Sequence, residues 1–133
     1  MKFDYQDCIG ARIRQLSRKV DSYFRVHLKE IGITENQMTI LFALKKMGLI
    51  EQGNIGVQLS LERSTVSRNI KLLEKKNLIQ KSSNYRPEIE LTSEGGELVA
   101  QLTPIWESIM GELYSKLDTS GLDSLMNLES KIK

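Results

Sequence analysis

The stretch from residue 55 to residue 79 constrains the fold most, because its side chains divide between two faces of a helix. It reads IGVQLSLERSTVSRNIKLLEKKNLI. Val66, Ile70 and Leu73 recur at spacings of four and three, so they form one apolar stripe that must be buried. A shorter amphipathic helix precedes this stripe, with apolar residues at Ile55, Leu59 and Leu61. Gly56 is small enough to let the two helices cross closely, and the stretch predicts a helix-turn-helix.

The opposite side of the second helix would present hydroxyl and basic groups to solvent. These residues are Ser64, Thr65, Ser67, Arg68, Lys71 and Lys75. Short hydroxyls near a helix N-terminus allow the backbone to approach a phosphate, and Arg or Lys one or two turns later can reach base edges. This combination predicts a recognition helix that binds DNA.

Positive charge is concentrated around this stretch. Residues 61–86 contain seven Lys or Arg and two acidic residues, a net charge of +5, whereas the whole chain carries +2. Residues 87–133 contain nine acidic and three basic residues, a net charge of −6. A solvated surface helix without a partner is the alternative interpretation, but it requires no such concentration. The charge pattern therefore favours a nucleic-acid interface.

The first part of the chain has the pattern of two helices. Apolar residues keep a helical period from about residue 6 to residue 30, which predicts one long helix. Thr34 and Gln37 match a capping box, so a second helix should begin there. After the recognition helix, Asn77 stands where a helix stop is expected, because Asn tolerates the left-handed conformation.

The last part of the chain predicts two short strands followed by helices. Residues 78–82 and 88–91 alternate partially and are separated by a polar tip, as in a two-stranded wing. Thr92 should cap a long helix in which Pro104 produces a kink, and Asp118 should open a last helix. The helices at both ends have more apolar face than one small chain can cover, so we expect a helical dimer interface.

Two segments carry a resemblance to a known family. The run LERSTVSRNIKLLEKKNLI resembles the recognition segment of the MarR family of bacterial transcriptional regulators, and LTSEGGEL is similar to that family's junction after the wing. The resemblance implies a mainly α winged helix-turn-helix fold with a two-stranded β-wing and long terminal dimerisation helices. It also implies one domain over residues 1–133, in which about residues 34–91 bind DNA and residues 1–33 and 92–133 dimerise.

The resemblance implies a set of DNA-binding residues on the recognition helix and the wing tip. They are Arg63, Ser64, Thr65, Ser67, Arg68, Asn69, Lys71, Asn84, Tyr85 and Arg86. The wing departs from the family pattern, because Asn84 stands where an Asp is usual and Pro87 lies inside a short wing. Contact by the helix is therefore expected to matter more than contact by the tip.

The implied function is that of a homodimeric repressor released from a pseudo-palindromic DNA operator by a small-molecule or redox signal. A small aromatic effector could bind near Tyr23, Phe24 and Trp106, although core packing is the simpler role for these residues. Cys8, with Arg12 one turn on, is a candidate redox sensor for an oxidant. The alternative is a winged-helix scaffold or an effector-binding protein without sequence-specific DNA binding.

Other classes of function have little support in the sequence. The single His27 has no Ser or Cys partner at a motif spacing, so we expect no enzyme activity. One Cys and one His predict neither a metal site nor a cofactor. No apolar run is long enough for a membrane span, and the start of the chain lacks a signal peptide. A cytoplasmic, nucleoid-associated protein of a bacterial or archaeal cell is expected.

Overall fold

The computed structural model describes residues 1–132 and is mainly helical, as predicted. A 3-10 turn covers Tyr5–Asp7. The α-helices of the described residues are α1 (Ile9–Leu28), α2 (Glu35–Met47), α3 (Gln52–Leu59), α4 (Arg63–Lys75) and α5 (Ser93–Lys131). Their β-strands are β1 (Ile50–Glu51), β2 (Ile79–Lys81) and β3 (Glu88–Leu91). Among residues 1–132, none of the helices combines the length and the apolar character that a membrane crossing needs.

The small sheet is antiparallel and has one strand more than the sequence predicted. Its strand order is β1-β3-β2, with Ile89 opposite both Ile50 and Lys81. The predicted wing strands β2 and β3 are confirmed. The third strand, β1, has only two residues, which is too short for an alternating pattern to appear in the sequence. Pairing with β3, which lies far along the chain, is what makes β1 a strand.

The chain divides into two compact units. One unit contains residues 1–27 together with the chain from residue 105 onward, and the other contains residues 28–104. The second unit holds the helix-turn-helix and the sheet. The sequence-based division at residues 34 and 91 stays a prediction.

The core of the unit formed by residues 28–104 is apolar and collects side chains from its helices and from the strands β2 and β3. Its fully buried members are Leu28, Met38, Ile40, Leu41, Leu44, Ile55, Ile70, Leu73, Ile79, Ile89 and Leu102, whereas both residues of the short strand β1 are only half-buried. Val66 is 3% exposed, so the whole predicted stripe of α4 is buried. Each such side chain stabilises the fold by about 1.5–3 kcal/mol relative to an exposed position.

Polar caps at the helix ends lie where the sequence predicted them. The Thr34 hydroxyl accepts a hydrogen bond from the Gln37 amide at 3.2 Å, and the Gln37 carboxamide accepts one from the Thr34 amide at 3.1 Å. Asn77 is left-handed with φ 61° and ends α4. The Thr92 hydroxyl accepts from the Gly95 amide at 3.0 Å and donates to the Asn77 carbonyl at 2.7 Å. The end of α4 is thereby tied to the start of α5.

The long helix α5 is interrupted at one residue. Asp118 has φ 55° and ψ −173°, and its carboxylate accepts a hydrogen bond from the Gly121 amide at 3.1 Å. A new helical segment therefore begins at the predicted position, capped by Asp118. Pro104 also lies inside α5, but the backbone around it keeps helical dihedral angles. The kink expected at Pro104 stays a prediction, and the interruption of the helix lies at Asp118.

Gly95 allows a close approach between the start of α5 and the chain before the wing. A Cβ atom at Gly95 would lie 2.0 Å from the Leu78 carbonyl oxygen, whereas a Cβ atom at the neighbouring Gly96 would meet nothing within 4 Å. Glycine is therefore required at residue 95, because a backbone atom occupies the space of a side chain.

We predict that Gly95→Ala lowers the free energy of unfolding by about 2 kcal/mol or more, because backbone must move to admit the methyl group. Gly96→Ala is the matched control and should stabilise the helix by about 0.5–1 kcal/mol. Urea unfolding of both variants measures the difference. Equal unfolding midpoints for the two variants would contradict the predicted contact between Gly95 and Leu78.

Candidate nucleic-acid interface

A tight turn joins α3 to α4 and makes the two helices a helix-turn-helix. Ser60 at the end of α3 is left-handed with φ 56°, and the Leu61 amide donates to the Gly56 carbonyl at 2.9 Å. A Cβ atom at Gly56 would lie 2.9 Å from the Leu61 carbonyl oxygen. The predicted role of Gly56 in a close crossing is therefore supported by the backbone geometry. The turn directs α4 away from α3 within three residues.

The two faces of α4 differ completely in character. Val66, Ile70 and Leu73 face the core, and the helix packs against α2, α3 and β2. Four of the predicted contact residues on α4 are exposed, namely Arg63, Ser64, Arg68 and Lys71. Thr65 and Ser67 are half-buried beside them. Burial of the apolar stripe thus determines which groups reach solvent.

The N-terminus of α4 has free hydrogen-bonding capacity. Glu62 precedes the helix, and its side chain makes no capping hydrogen bond within the described residues. The first turn contributes the amides of Arg63, Ser64 and Thr65, whose N–H groups form the positive end of the helix dipole. Such an end binds anions through backbone N–H groups and suits a phosphate oxygen.

The basic groups of this surface are not neutralised by neighbours. Within residues 1–132, Arg63, Arg68, Lys71 and Arg86 take part in no salt bridge, and Arg25 illustrates the contrast by pairing with Asp21 at 3.0 Å. Uncompensated cations on one face attract a polyanion, because neutralising phosphates releases condensed counterions. The charge concentration that the sequence predicted is therefore free to act on a partner.

The wing is a hairpin with an exposed tip. Asn84, Tyr85 and Arg86 are all exposed, and Tyr85 reaches 98%. The Ser82 amide donates to the Glu88 carbonyl at 2.9 Å, which closes the loop. The Gln52 amide donates to the Pro87 carbonyl at 2.9 Å and ties the returning strand to the start of α3. Pro87, which departs from the family pattern, supplies this anchoring carbonyl.

One predicted contact residue lies inside the molecule. Asn69 is 8% exposed, and its Nδ2 donates to the Thr65 carbonyl at 2.9 Å. Its Oδ1 accepts a hydrogen bond at 3.1 Å from Nε2 of Gln37, which is 5% exposed. The prediction that Asn69 belongs to the exposed contact set is corrected on this basis. The sequence contained no signal for this bond, because the two amides are 32 residues apart.

Lys76 has an internal role that the sequence did not indicate. Its ammonium group donates a hydrogen bond to the carbonyl of Gly32, in the turn before α2. Lys75, one residue earlier, is exposed and has no such bond among the described residues. The two lysines, which look alike in the sequence, therefore differ in their availability to a phosphate.

The residues predicted to sense a signal lie in the other compact unit. Cys8 is a free and exposed thiol. Phe24 is 4% exposed and packs in the core, whereas the ammonium of Lys116 lies 5.3 Å from the ring centre of Tyr23. A hydrogen bond with Tyr23 raises the pKa of Lys116. An effector pocket at Tyr23, Phe24 and Trp106 stays a prediction.

Comparison with known proteins agrees with this architecture. The profile of the MarR family matches residues 33–85, from the start of α2 to the wing tip. The HTH-type transcriptional regulator YhbI of Bacillus subtilis is 26% identical over 123 residues, which cover 90% of this chain and 80% of YhbI.

Solved structures extend the similarity to nearly the whole chain. BpsR of Bordetella bronchiseptica, described with 6-hydroxynicotinic acid as regulator of its DNA binding, has a TM-score of 0.87 at 20% identity. The match covers 98% of this chain and 96% of BpsR. MepR of S. aureus, solved as a DNA complex, has a TM-score of 0.77 at 26% identity, covering 98% and 96% of the two chains. The matched segment and the solved structures together show that this chain has a winged helix-turn-helix fold and that its residues 33–85 are similar to the MarR family.

Proposed function

We propose that this protein is a sequence-specific DNA-binding transcriptional regulator that represses genes as a homodimer on a pseudo-palindromic operator. The observation that carries the proposal is the exposed and uncompensated basic face of α4, presented by a helix-turn-helix. The relatives support it, because YhbI is named a transcriptional regulator and MepR was solved with DNA. Such a protein would act at the nucleoid, in the cytoplasm of a bacterial or archaeal cell.

The exposed residues of α4 divide into two roles. Ser64 and the free amides of the first turn suit a phosphate. The Ser64 side chain is short, and the amides lie at the positive end of the helix. Arg68 lies four residues after Ser64 on an exposed position, and its planar guanidinium can meet O6 and N7 of one guanine. Lys75 lies almost two turns after Arg68, so it reaches only phosphates. Arg86 at the wing tip adds a contact beside the major groove.

We predict that Arg68→Ala lowers the affinity for the cognate DNA by about 1–3 kcal/mol and the affinity for random DNA much less. Lys75→Ala is the matched control, since it removes one exposed cation of the same helix. It should weaken binding to both DNAs alike and reduce the salt dependence. Binding titrations on both DNAs at two salt concentrations measure these effects. The cognate sequence comes from a selection with a random DNA library.

Two outcomes of these titrations are informative. Equal losses on cognate and random DNA for Arg68→Ala would make Arg68 a phosphate contact, and the assignment of the reading face would be wrong. A wild-type protein that binds no DNA selectively at any salt concentration would contradict the proposed function itself.

An apolar surface of the terminal unit supports the homodimer. Ile9, Ile13 and Leu16 follow one side of α1 and are 47–69% exposed. Together with Leu128 they line a groove of about 550 Å³ within this unit. An exposed patch of this kind on a small chain marks an association surface. A second copy is the fitting partner, because a two-fold dimer presents two copies of α4 to a palindromic site.

We expect Ile13→Asp to convert a dimer into a monomer, because the new carboxylate would be desolvated in the interface. Ser22→Asp places the same charge on an exposed position at the opposite side of α1, nine residues after Ile13, and should leave the dimer intact. Sedimentation at micromolar concentration measures both. A monomeric wild-type chain, or two variants with the same molecular mass as the wild type, would contradict the proposed interface.

A small molecule could release the DNA through a cleft beside α4. The cleft holds about 250 Å³ and is lined by Gln52, Gly53, Gly56, Arg63, Val66, Ser67 and Pro87. Arg63 and Ser67 are also members of the predicted contact set, so a bound molecule would withdraw both from DNA. Regulation of BpsR by 6-hydroxynicotinic acid is an example of such a signal in a similar fold.

A redox signal would act through Cys8, whose exposed thiol is accessible to an oxidant. If it does, peroxide should weaken binding to the cognate DNA, and Cys8→Ser should abolish this response without changing the affinity of the reduced protein. Parallel titrations before and after peroxide treatment test the idea. An equal response in wild type and Cys8→Ser would remove Cys8 from the mechanism.

A further inference from the structure

A chain of three hydrogen bonds runs through two side-chain amides, from the backbone at the start of α2 to the backbone of α4. The Thr34 amide donates to Gln37 Oε1 at 3.1 Å, and Gln37 Nε2 donates to Asn69 Oδ1 at 3.1 Å. Asn69 Nδ2 then donates to the Thr65 carbonyl at 2.9 Å. Gln37 and Asn69 are 5% and 8% exposed, so the bond between them lies inside the molecule.

The polarity of this chain is determined at both ends. The Thr34 amide can only donate, so it must face the oxygen of the Gln37 carboxamide. The Thr65 carbonyl can only accept, so it must face the nitrogen of the Asn69 carboxamide. Between them, Gln37 is left with a donor and Asn69 with an acceptor, and these two groups meet. One arrangement of the two amides satisfies all three bonds.

Buried amides are a poor means of gaining stability alone. A buried hydrogen bond adds little net stability, because both groups lose their hydrogen bonds to water, and apolar side chains of similar size often stabilise the core as well. What the amides add is direction, because their bonds exist at one rotation and one axial position of α4 relative to α2. Val66, Ile70 and Leu73 do not supply this direction, since apolar contacts tolerate small rotations and shifts.

A second tie holds the other end of α4 to the same region of the chain. Lys76 follows the helix, and its ammonium group binds the Gly32 carbonyl. Residues 32–37 therefore hold α4 both near its middle, through Asn69, and at its C-terminal end. Arg68 is the neighbour of Asn69 in the chain, so any rotation of the helix at Asn69 also redirects Arg68.

We propose that Gln37 and Asn69 are positioning residues that set the rotation of α4 on α2 and thereby the direction in which Arg68 meets the DNA. The inference rests on the proposed function. It assigns to Asn69 an indirect role in sequence choice, in place of the direct contact that the sequence predicted.

The first experiment replaces both amides by apolar groups of similar size, in Gln37→Met/Asn69→Leu. The pair leaves no unpartnered side-chain amide in the core and removes one capping bond, that of the Thr34 amide, in an exposed residue. We therefore expect the melting temperature to fall by no more than about 4–8 °C. The ratio of cognate to random DNA affinity should fall about tenfold, as expected for a misdirected base contact. Leu102→Ala, a core change in α5, is the control that destabilises without altering the ratio.

The second experiment needs no DNA and uses a variant with almost no change in shape. Asn69→Asp replaces the Nδ2 donor by an oxygen that faces the Thr65 carbonyl, so the helix should rotate or shift. Asn36→Asp makes the same chemical change at an exposed position of α2 and is the matched control. Residual dipolar couplings of backbone amides give the orientation of α4 relative to α2 in each protein. We expect a change in Asn69→Asp and in the double variant, but none in Asn36→Asp.

The two experiments separate the inference from the proposed function. If the wild type shows no preference among DNAs, the proposed function fails, and the dipolar couplings still decide whether the amides orient α4. If the double variant and Asn69→Asp keep the wild-type orientation of α4, the inference is wrong. An altered orientation with an unchanged affinity ratio would also overturn it, because Arg68 would then read DNA independently of Asn69.

Discussion

Burial of the apolar stripe of α4 is the interaction on which the rest of this structure depends. Val66, Ile70 and Leu73 enter a core shared with α2, α3 and β2, and this leaves Arg68 and Lys71 exposed on the opposite side. Removing the apolar stripe of an amphipathic helix from water determines which side of the helix faces the core, although it leaves small rotations open. The same free energy that folds the unit therefore also presents its basic face.

Two backbone features connect α4 to the elements before and after it in the chain. The left-handed Ser60 and the close approach at Gly56 reverse the chain between α3 and α4. At the start of α5, Thr92 and Gly95 contact the Asn77 and Leu78 carbonyls, which follow the end of α4. The hairpin carrying the exposed tip is thus attached at both of its ends to the elements that orient α4.

Hydrophobic burial and buried hydrogen bonds contribute differently to such an interface. Burial supplies most of the free energy, but it is non-directional and depends on area. The bond between Gln37 and Asn69 adds little net stability, yet it has strict geometry. A protein that reads base edges needs both, because a bidentate guanidinium contact tolerates less displacement than a core does. This explains why two amides occupy an otherwise apolar interior.

The sequence by itself determined the identity of the helices, the two wing strands and the exposed basic residues of α4. These features depend on local periodicity, capping residues such as Thr34 and local charge, all of which can be read within one or two helical turns. It also located the interruption at Asp118, because the side chain that caps the new segment lies at the break.

Only the tertiary structure decided the features that join distant parts of the chain. Strand β1 exists through its pairing with β3, and Gly95 is required because the Leu78 carbonyl approaches it. The sequence places Asn69 among the DNA contacts because polar side chains usually lie at the surface. In the structure its Oδ1 instead accepts a hydrogen bond from Gln37 Nε2 at 3.1 Å. The difference between Lys75 and Lys76 likewise depends on the Gly32 carbonyl. Periodicity shows which side of a helix is apolar, but the partner of a buried polar group is chosen by the fold that surrounds it.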